Sequence, residues 1–468
     1  MKALLAAICA GLGIVYLCRL DANKRSHISK LVWIPLLWLL VGSSRPVSEW
    51  FVGSLQPGVT YGSEEGSPLD RTFLTISLAL GLFALFKRME RVKAILRVNL
   101  PIVLFFLYCL ASILWSDFPL VTFKRWIRGA ADVVMILIII TDPHWEAALK
   151  WLFTRIAFVL VPLSVVIIKF FPQYGRSYSP NGVQMWTGVC TDKNGLGAIC
   201  MVFGTALLWQ MLPVSSVRQA RQLRSRELIA KGAAFAMTLY LIWVVDAKTA
   251  LTCFLLANTV IFLTWLGPWF RKRAVLSVMV AAMVISCYSV LFLGIGGGAL
   301  ESMGRKSDLT GRTEIWAAVL PLAGNPLLGT GYENFWMGKR LETFARTLAS
   351  LNQAHNGYLE IYLNLGWIGL ILLGTIIVSG YRNLMLGLRS NLDIGRLKLG
   401  FFTICLIYNF TEATFKMQSP VWIFFLWAAM AVPKLTAQSR TVARNCQRPR
   451  RAEFDVELES RLRNWTRV

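Results

Sequence analysis

The sequence predicts an all-α protein embedded in a membrane, and three observations carry that prediction. Of its 468 residues, 56% are hydrophobic and 12% aromatic, with a mean hydropathy of +0.54, more apolar surface than a soluble core of this size hides. The apolar residues come in runs approaching the roughly 20 residues that a helix needs to cross a bilayer. Basic residues gather in alternate short connections, the pattern of loops retained in the cytoplasm.

Taken in order, the runs place helices at about 2–18, 31–43, 72–86, 100–115, 127–141, 151–171, 194–212, 232–246, 250–266, 274–296, 357–379, 399–415 and 420–433. The second and last are short, so the count is about 12–13. Lys2 and the apolar run to Leu17 resemble a signal peptide, but no small-residue cleavage site precedes the charged Arg19 to Lys30 segment, so the run reads as a retained first helix. The chain thus divides into an N-terminal bundle (1–296), a large loop (297–356), C-terminal helices (357–433) and a basic tail (434–468).

The net charge of +24 follows the same topology. Arg19/Lys24/Arg25/Lys30, Lys87/Arg88/Arg91/Lys93/Arg97, Arg218/Arg221/Arg224/Arg226/Lys231, Arg271/Lys272/Arg273 and Arg382/Arg389/Arg396/Lys398 all fall on one side, which is therefore cytoplasmic. The opposite side receives Glu49, Glu64, Glu65 and Asp70, the Gln173 to Asp192 segment, the turn at Asp246 to Lys248 and the large loop. The arginine-rich tail suits anionic lipid; no soluble domain accompanies it to read a nucleic acid. Seven of the nine cysteines lie in or beside apolar runs without paired spacing and read as small buried hydrophobes, while Cys190 and Cys446 fall in polar segments on opposite sides of the membrane, so no bridge between them is expected.

Candidates for chemistry collect on the outer side. His355, one of three histidines, stands where a polar loop enters an apolar helix. It is either a proton-transfer group or a solvated residue beside an Asn356 cap. Lys248 lies in the tight turn Asp246-Ala247-Lys248-Thr249, as either a binding cation or half of a charge pair with Asp246. Lys193 and Asn194 open a helix, where free N–H groups favour an anion; a simple cap is the other reading. Arg312 carries the planar fork that grips phosphate oxygens in pairs, unless it is a surface arginine. Lys124, Arg125 and Arg128 sit at an outer border against the charge rule, as either a snorkelling cluster or a binding face for a lipid-linked phosphate. No Asp-x-Asp pair, zinc spacing or Walker loop is present, so neither metal nor cofactor is expected, and Gly296-Gly297-Gly298 reads as a hinge.

The spacing His355-Asn356, nine residues, Gly366, two residues, Gly369 resembles the O-antigen ligase and polymerase superfamily. Gly311-Arg312-Thr313-Glu314-Ile315-Trp316 and Asn325-Pro326-Leu327-Leu328-Gly329-Thr330-Gly331 are similar to other segments of that family's large loop. The Lys193-Asn194-x-x-Gly197 and Lys248-Thr249 pairs resemble its exopolysaccharide polymerase branch. Two departures stand out: Asp192 where that branch often has histidine, and Ala247 in place of a usual serine. The resemblance implies a bacterial inner-membrane glycosyltransferase with a periplasmic catalytic loop, joining repeat units carried on undecaprenyl pyrophosphate. His355, Arg312 and Lys248 would be catalytic; Lys193, Asn194, Asn356 and Arg128 would bind substrate. Membrane lipids, a chain-length regulator and export machinery would be its partners. A ligase moving the glycan to lipid A core shares the donor chemistry and stays open. A transporter or lipid-linked sugar flippase is the rival from another class, although no internal repeat is present.

Overall fold

The computed structural model describes residues 2–21, 28–52, 67–178, 182–212, 225–292, 312–347 and 353–433. The Gly296 to Gly298 hinge, the loop up to residue 311, the tail from residue 434 and Arg218, Arg221 and Arg224 lie outside them. Residues 1–431 form one compact unit.

The chain opens with α1 (Lys2–Leu20), α2 (Trp33–Gly42), α3 (Val47–Val52), α4 (Pro68–Phe86), α5 (Met89–Val98), α6 (Leu100–Ala111), α7 (Pro119–Ile140), α8 (Trp145–Phe170) and α9 (Pro172–Gly175). A short antiparallel hairpin, β1 (Arg176–Tyr178) and β2 (Gln184–Trp186), leads to α10 (Lys193–Met211), α11 (Ser225–Val245), α12 (Lys248–Leu266) and α13 (Arg273–Phe292). From the large loop come α14 (Arg312–Val319) and α15 (Gly338–Thr347), followed by α16 (Gly357–Ser390), α17 (Leu392–Tyr408) and α18 (Pro420–Ala429).

Each of the thirteen apolar runs corresponds to a helix, so the protein is an all-α, multi-pass membrane protein. Among the described residues eight helices have the length and apolarity to cross a bilayer, or nine if α5 and α6, bent by 93°, make one broken span. The ten residues of α18 reach only about 15 Å, half a bilayer core, yet all ten are buried. Its partners are protein, with Phe424 against Phe153, Phe203 and Phe401. At the ends expected to be cytoplasmic, Asp21 pairs with Lys231 (3.3 Å) and Arg155 (3.8 Å), and Lys150 with Asp393 (2.8 Å).

Two expected helices differ in ways that shape the outer face. The run expected at 399–415 is helical only to Tyr408, because Asn409 turns the chain. Its Oδ1 accepts from Thr414 N (2.9 Å) and Thr414 Oγ1 (3.0 Å), and its carbonyl accepts from Gly357 N (2.9 Å). That clamp requires glycine at 357, since a Cβ there would lie 2.0 Å from Asn409 Oδ1. The turn is anchored further along, where Gln418 N donates to Asp132 of α7 (2.8 Å), whose other oxygen accepts from Trp38 Nε1 (2.8 Å).

The second difference is a break in α16 at Gly366, with φ 62° and ψ −163°. A buried break frees backbone groups that must find partners. The loop supplies most of them: Thr330 N bonds Leu363 O (3.2 Å), Gly331 N bonds Asn364 O (2.8 Å), and Trp367 N bonds Pro326 O (2.9 Å). Tyr108 Oη takes the Leu365 carbonyl at 3.1 Å. The backbones approach so closely that a Cβ on Gly329 would lie 2.4 Å from Leu365 N, and one on Gly366 would lie 2.3 Å from the Leu327 carbonyl. The Asn325 to Gly331 segment and Gly366 are thus two halves of one joint. Above it the loop builds a small core of Val319, Phe335, Phe344 and Ala354 against Leu363 of α16.

Candidate functional site

Residues at the start of α16 are held from three directions. Asn356 Oδ1 caps the helix, accepting from Tyr358 N (3.0 Å) and Leu359 N (3.1 Å). Ala354 N donates to Glu360 Oε1 (2.5 Å), and the Ala354 carbonyl accepts from Trp316 Nε1 (2.8 Å). Glu360 also accepts from Trp336 Nε1, at 3.0 Å to each oxygen. Between these anchors His355 takes a φ of 49°, a left-handed conformation that a non-glycine residue keeps only when its neighbours enforce it.

His355 lines a cavity of about 400 Å³ together with Lys193, Asn194, Lys248 and Arg312. Four of the candidate residues stand at helix starts: Lys193 opens α10, Lys248 opens α12, Arg312 opens α14, and His355 precedes α16 by two residues. Helix N-termini carry partial positive charge, so their convergence adds to the three cations in favouring an anion. Close packing brings two of them together: a Cβ on Gly197 of α10 would lie 2.8 Å from the Cβ of Ala247 and 3.0 Å from that of Ala250. The glycine of the Lys-Asn-x-x-Gly segment therefore seats α10 against the Lys248 turn. Asp192 caps α10 through Gly195 N (2.8 Å), which leaves Lys193 and Asn194 on the cavity wall.

The residue that joins these groups is Glu412, in the turn after α17. It is 6% exposed. Its Oε1 accepts from Arg312 Nη2 at 3.0 Å, while Oε2 accepts from Asn194 Nδ2 at 3.2 Å and lies 3.5 Å from His355 Nδ1. A buried carboxylate requires compensation, and here a guanidinium and an amide donate to it, with the His355 imidazole edge at 3.5 Å. Sequence reasoning missed Glu412 because residues 399–415 read as one apolar helix. The signal available was the polar Asn409, Thr411, Glu412 and Thr414 at its end.

Two predicted residues lie elsewhere. The Asn356 side-chain oxygen is engaged in the helix cap, and Asn356 is absent from the cavity lining. Arg128 belongs to α7, in a separate charged group with Arg125, Asp70 and Arg71. Among the described residues no group of three or more His, Cys, Asp or Glu side chains has the arrangement of a metal site.

The O-antigen ligase family matches residues 232–374, a stretch that contains Lys248, Arg312 and His355. Over that stretch the chain is similar to the O-antigen ligase family, and its multi-pass helical fold agrees with the similarity. A curated relative is the exopolysaccharide production protein ExoQ of Rhizobium meliloti (strain 1021), 25% identical over 303 residues. The alignment covers 59% of this chain and 63% of ExoQ, so the chain spans somewhat less than two thirds of that relative's length.

Proposed function

We propose that the protein is a bacterial inner-membrane polysaccharide polymerase. It joins oligosaccharide repeat units carried on undecaprenyl pyrophosphate, at the periplasmic face and without a metal. The family supports an O-antigen ligase- or polymerase-like role in polysaccharide biosynthesis, and the relative's role in exopolysaccharide production supports the polymerase. The observation that carries the reading is the cavity in which Arg312 and His355 face the same buried carboxylate, with Lys193 and Lys248 on its walls.

In this reading Lys193, Lys248 and Arg312 hold the donor's pyrophosphate, and their charge stabilises it as it leaves. Glu412 stands 3.5 Å from His355 Nδ1, and in this reading Nε2 is the nitrogen that accepts a proton. His355 Nε2 removes the proton from the acceptor hydroxyl, the hydroxyl oxygen forms a bond to the donor's anomeric carbon, and the bond from that carbon to the pyrophosphate oxygen breaks. The pyrophosphate departs on its lipid with the bonding electrons. A cavity at helix ends, rather than at a mid-membrane site between repeats, favours this surface chemistry over transport.

The test is the glycan profile, lipid-linked and exported, after deletion and complementation with wild type or His355→Ala at equal expression. A polymerase leaves single lipid-linked repeats without polymer. Lipid-linked polymer without mature lipopolysaccharide would make it a ligase, and full activity of His355→Ala would overturn the mechanism.

A further inference from the structure

Four non-glycine residues among those described have a left-handed backbone, and two of them, His355 and Asp246, line the same cavity. His355 has a part in the proposed reaction, and Asp246 so far has none. Its φ is 50°, a conformation that a side-chain-bearing residue keeps when its neighbours enforce it. Those neighbours are buried on both sides. Val245 closes α11, and Ala247 is wedged against Gly197 of α10 while its carbonyl accepts from Leu251 N (3.0 Å) in the first turn of α12. The Asp246 side chain between them is exposed on the cavity wall. Among the described residues its carboxylate has no hydrogen bond and no ion pair, so it is not half of a charge pair with Lys248. Turn geometry accounts for a short polar residue at this position. Its place on the wall, rigidly held and with its lone pairs open, points to a ligand.

What it can bind follows from its surroundings. Two acids line the cavity, and Glu412 is already engaged by Arg312 and Asn194. A metal ion or an ammonium group beside Asp246 would face the repulsion of Lys193, Lys248 and Arg312. A hydroxyl donates hydrogen without adding charge, and a carboxylate can take two neighbouring hydroxyls, one on each oxygen. A cavity of about 400 Å³ has room for a small molecule rather than for an ion alone. Asp246 and Lys248 are two residues apart, so their Cα atoms lie within about 7.6 Å of one another. A ligand that touches both therefore carries hydroxyls close to an anionic group.

We propose that Asp246 binds the sugar ring attached to the donor's pyrophosphate, accepting hydrogen bonds from two of its hydroxyls, and that it selects the first sugar of the lipid-linked glycan. The inference rests on the reading of the cavity as the site of a glycan on a lipid pyrophosphate. Lys248 then holds the phosphate and Asp246 the ring beside it, two residues of one turn reading the two sides of the bond that breaks.

The test is a pair of affinities. Full-length protein in nanodiscs is titrated with undecaprenyl pyrophosphate and with the lipid-linked glycan extracted from cells lacking the protein, read by native mass spectrometry, which separates intact glycolipid from any extended product. Wild type is expected to bind the glycolipid about tenfold more tightly than the bare lipid. Asp246→Asn tolerates the left-handed turn and removes the charge. It should bind the glycolipid about tenfold more weakly than wild type, yet hold the bare lipid as tightly or more so, because a negative charge near Lys248 is gone. Asp246→Ala should weaken the glycolipid at least as much, with melting temperature showing that the fold is kept. Equal tightening of both lipids in Asp246→Asn would make Asp246 a charge-balancing residue and overturn the proposal. An unchanged preference for the glycolipid in that variant, or no preference in wild type, would overturn it too. Wild type that binds neither lipid would overturn the reading of the cavity and this inference with it.

Discussion

Glu412→Gln is the substitution with the most to reveal, because it preserves shape and removes only charge. Arg312 and Glu412 side chains are 12% and 8% exposed, so their 3.0 Å contact is little screened by water. Stripping one partner from such a pair costs about 3–5 kcal/mol, because the other charge stays buried without that counter-charge. The same change removes the negative charge facing His355 Nδ1 at 3.5 Å. If that energy is lost from the transition state, kcat/KM falls between about 10²- and 5 × 10³-fold, at 1.36 kcal/mol per decade. The assay is chain extension of labelled lipid-linked repeat units by the purified full-length protein, with melting temperature measured on the same preparation. Glu412→Asp, which keeps the charge on a shorter arm, should fall between the two. Extension by Glu412→Gln within about threefold of wild type, at an unchanged melting temperature, would refute the idea that this carboxylate organises the site.

Lys248→Gln should raise the KM for the lipid-linked donor about tenfold or more while leaving the fold intact, as expected for a lost charge-assisted contact; steady-state kinetics with varied donor checks this. Gly366→Ala should destabilise the protein by about 3 kcal/mol or more, because the added Cβ meets the Leu327 carbonyl at 2.3 Å and the backbone φ is 62°; thermal unfolding in detergent would read the loss. Trp316→Phe keeps the ring but removes the 2.8 Å bond to the Ala354 carbonyl, so it should cost about 1 kcal/mol and lower kcat severalfold by loosening His355, measured in the extension assay. Asp117→Asn should change stability by less than about 1 kcal/mol, since its partner Arg340 pairs with a half-exposed carboxylate at the surface.

What the sequence by itself determined is the class of molecule and the identity of its loop. Runs of apolar residues admit few structures other than membrane helices, because a backbone in lipid must satisfy its own hydrogen bonds. The glycines of the loop joint were legible only as members of the family's spacing; the structure supplies the reason, since Gly329 and Gly366 stand where two backbones touch and no other residue fits. His355, Lys248 and Lys193 were legible as polar groups at the borders of apolar segments, where such groups are expensive to keep, and Arg312 as a phosphate-gripping fork in the loop motif. Only the tertiary structure decided which of them share a cavity, since residues from 193 to 412 meet there through the packing of α10, α12, α14 and α16. It alone revealed Glu412, whose side chain is polar in a stretch that reads as helix. Its role comes from Asn409 ending α17 early and turning the chain toward His355. It also separated Arg128 from the cavity, because three residues along α7 carry no sign of which helix or loop lies opposite. Local pattern fixes what a segment must bury. Which distant charges come to face one another is settled by packing, and here that is where the chemistry lies.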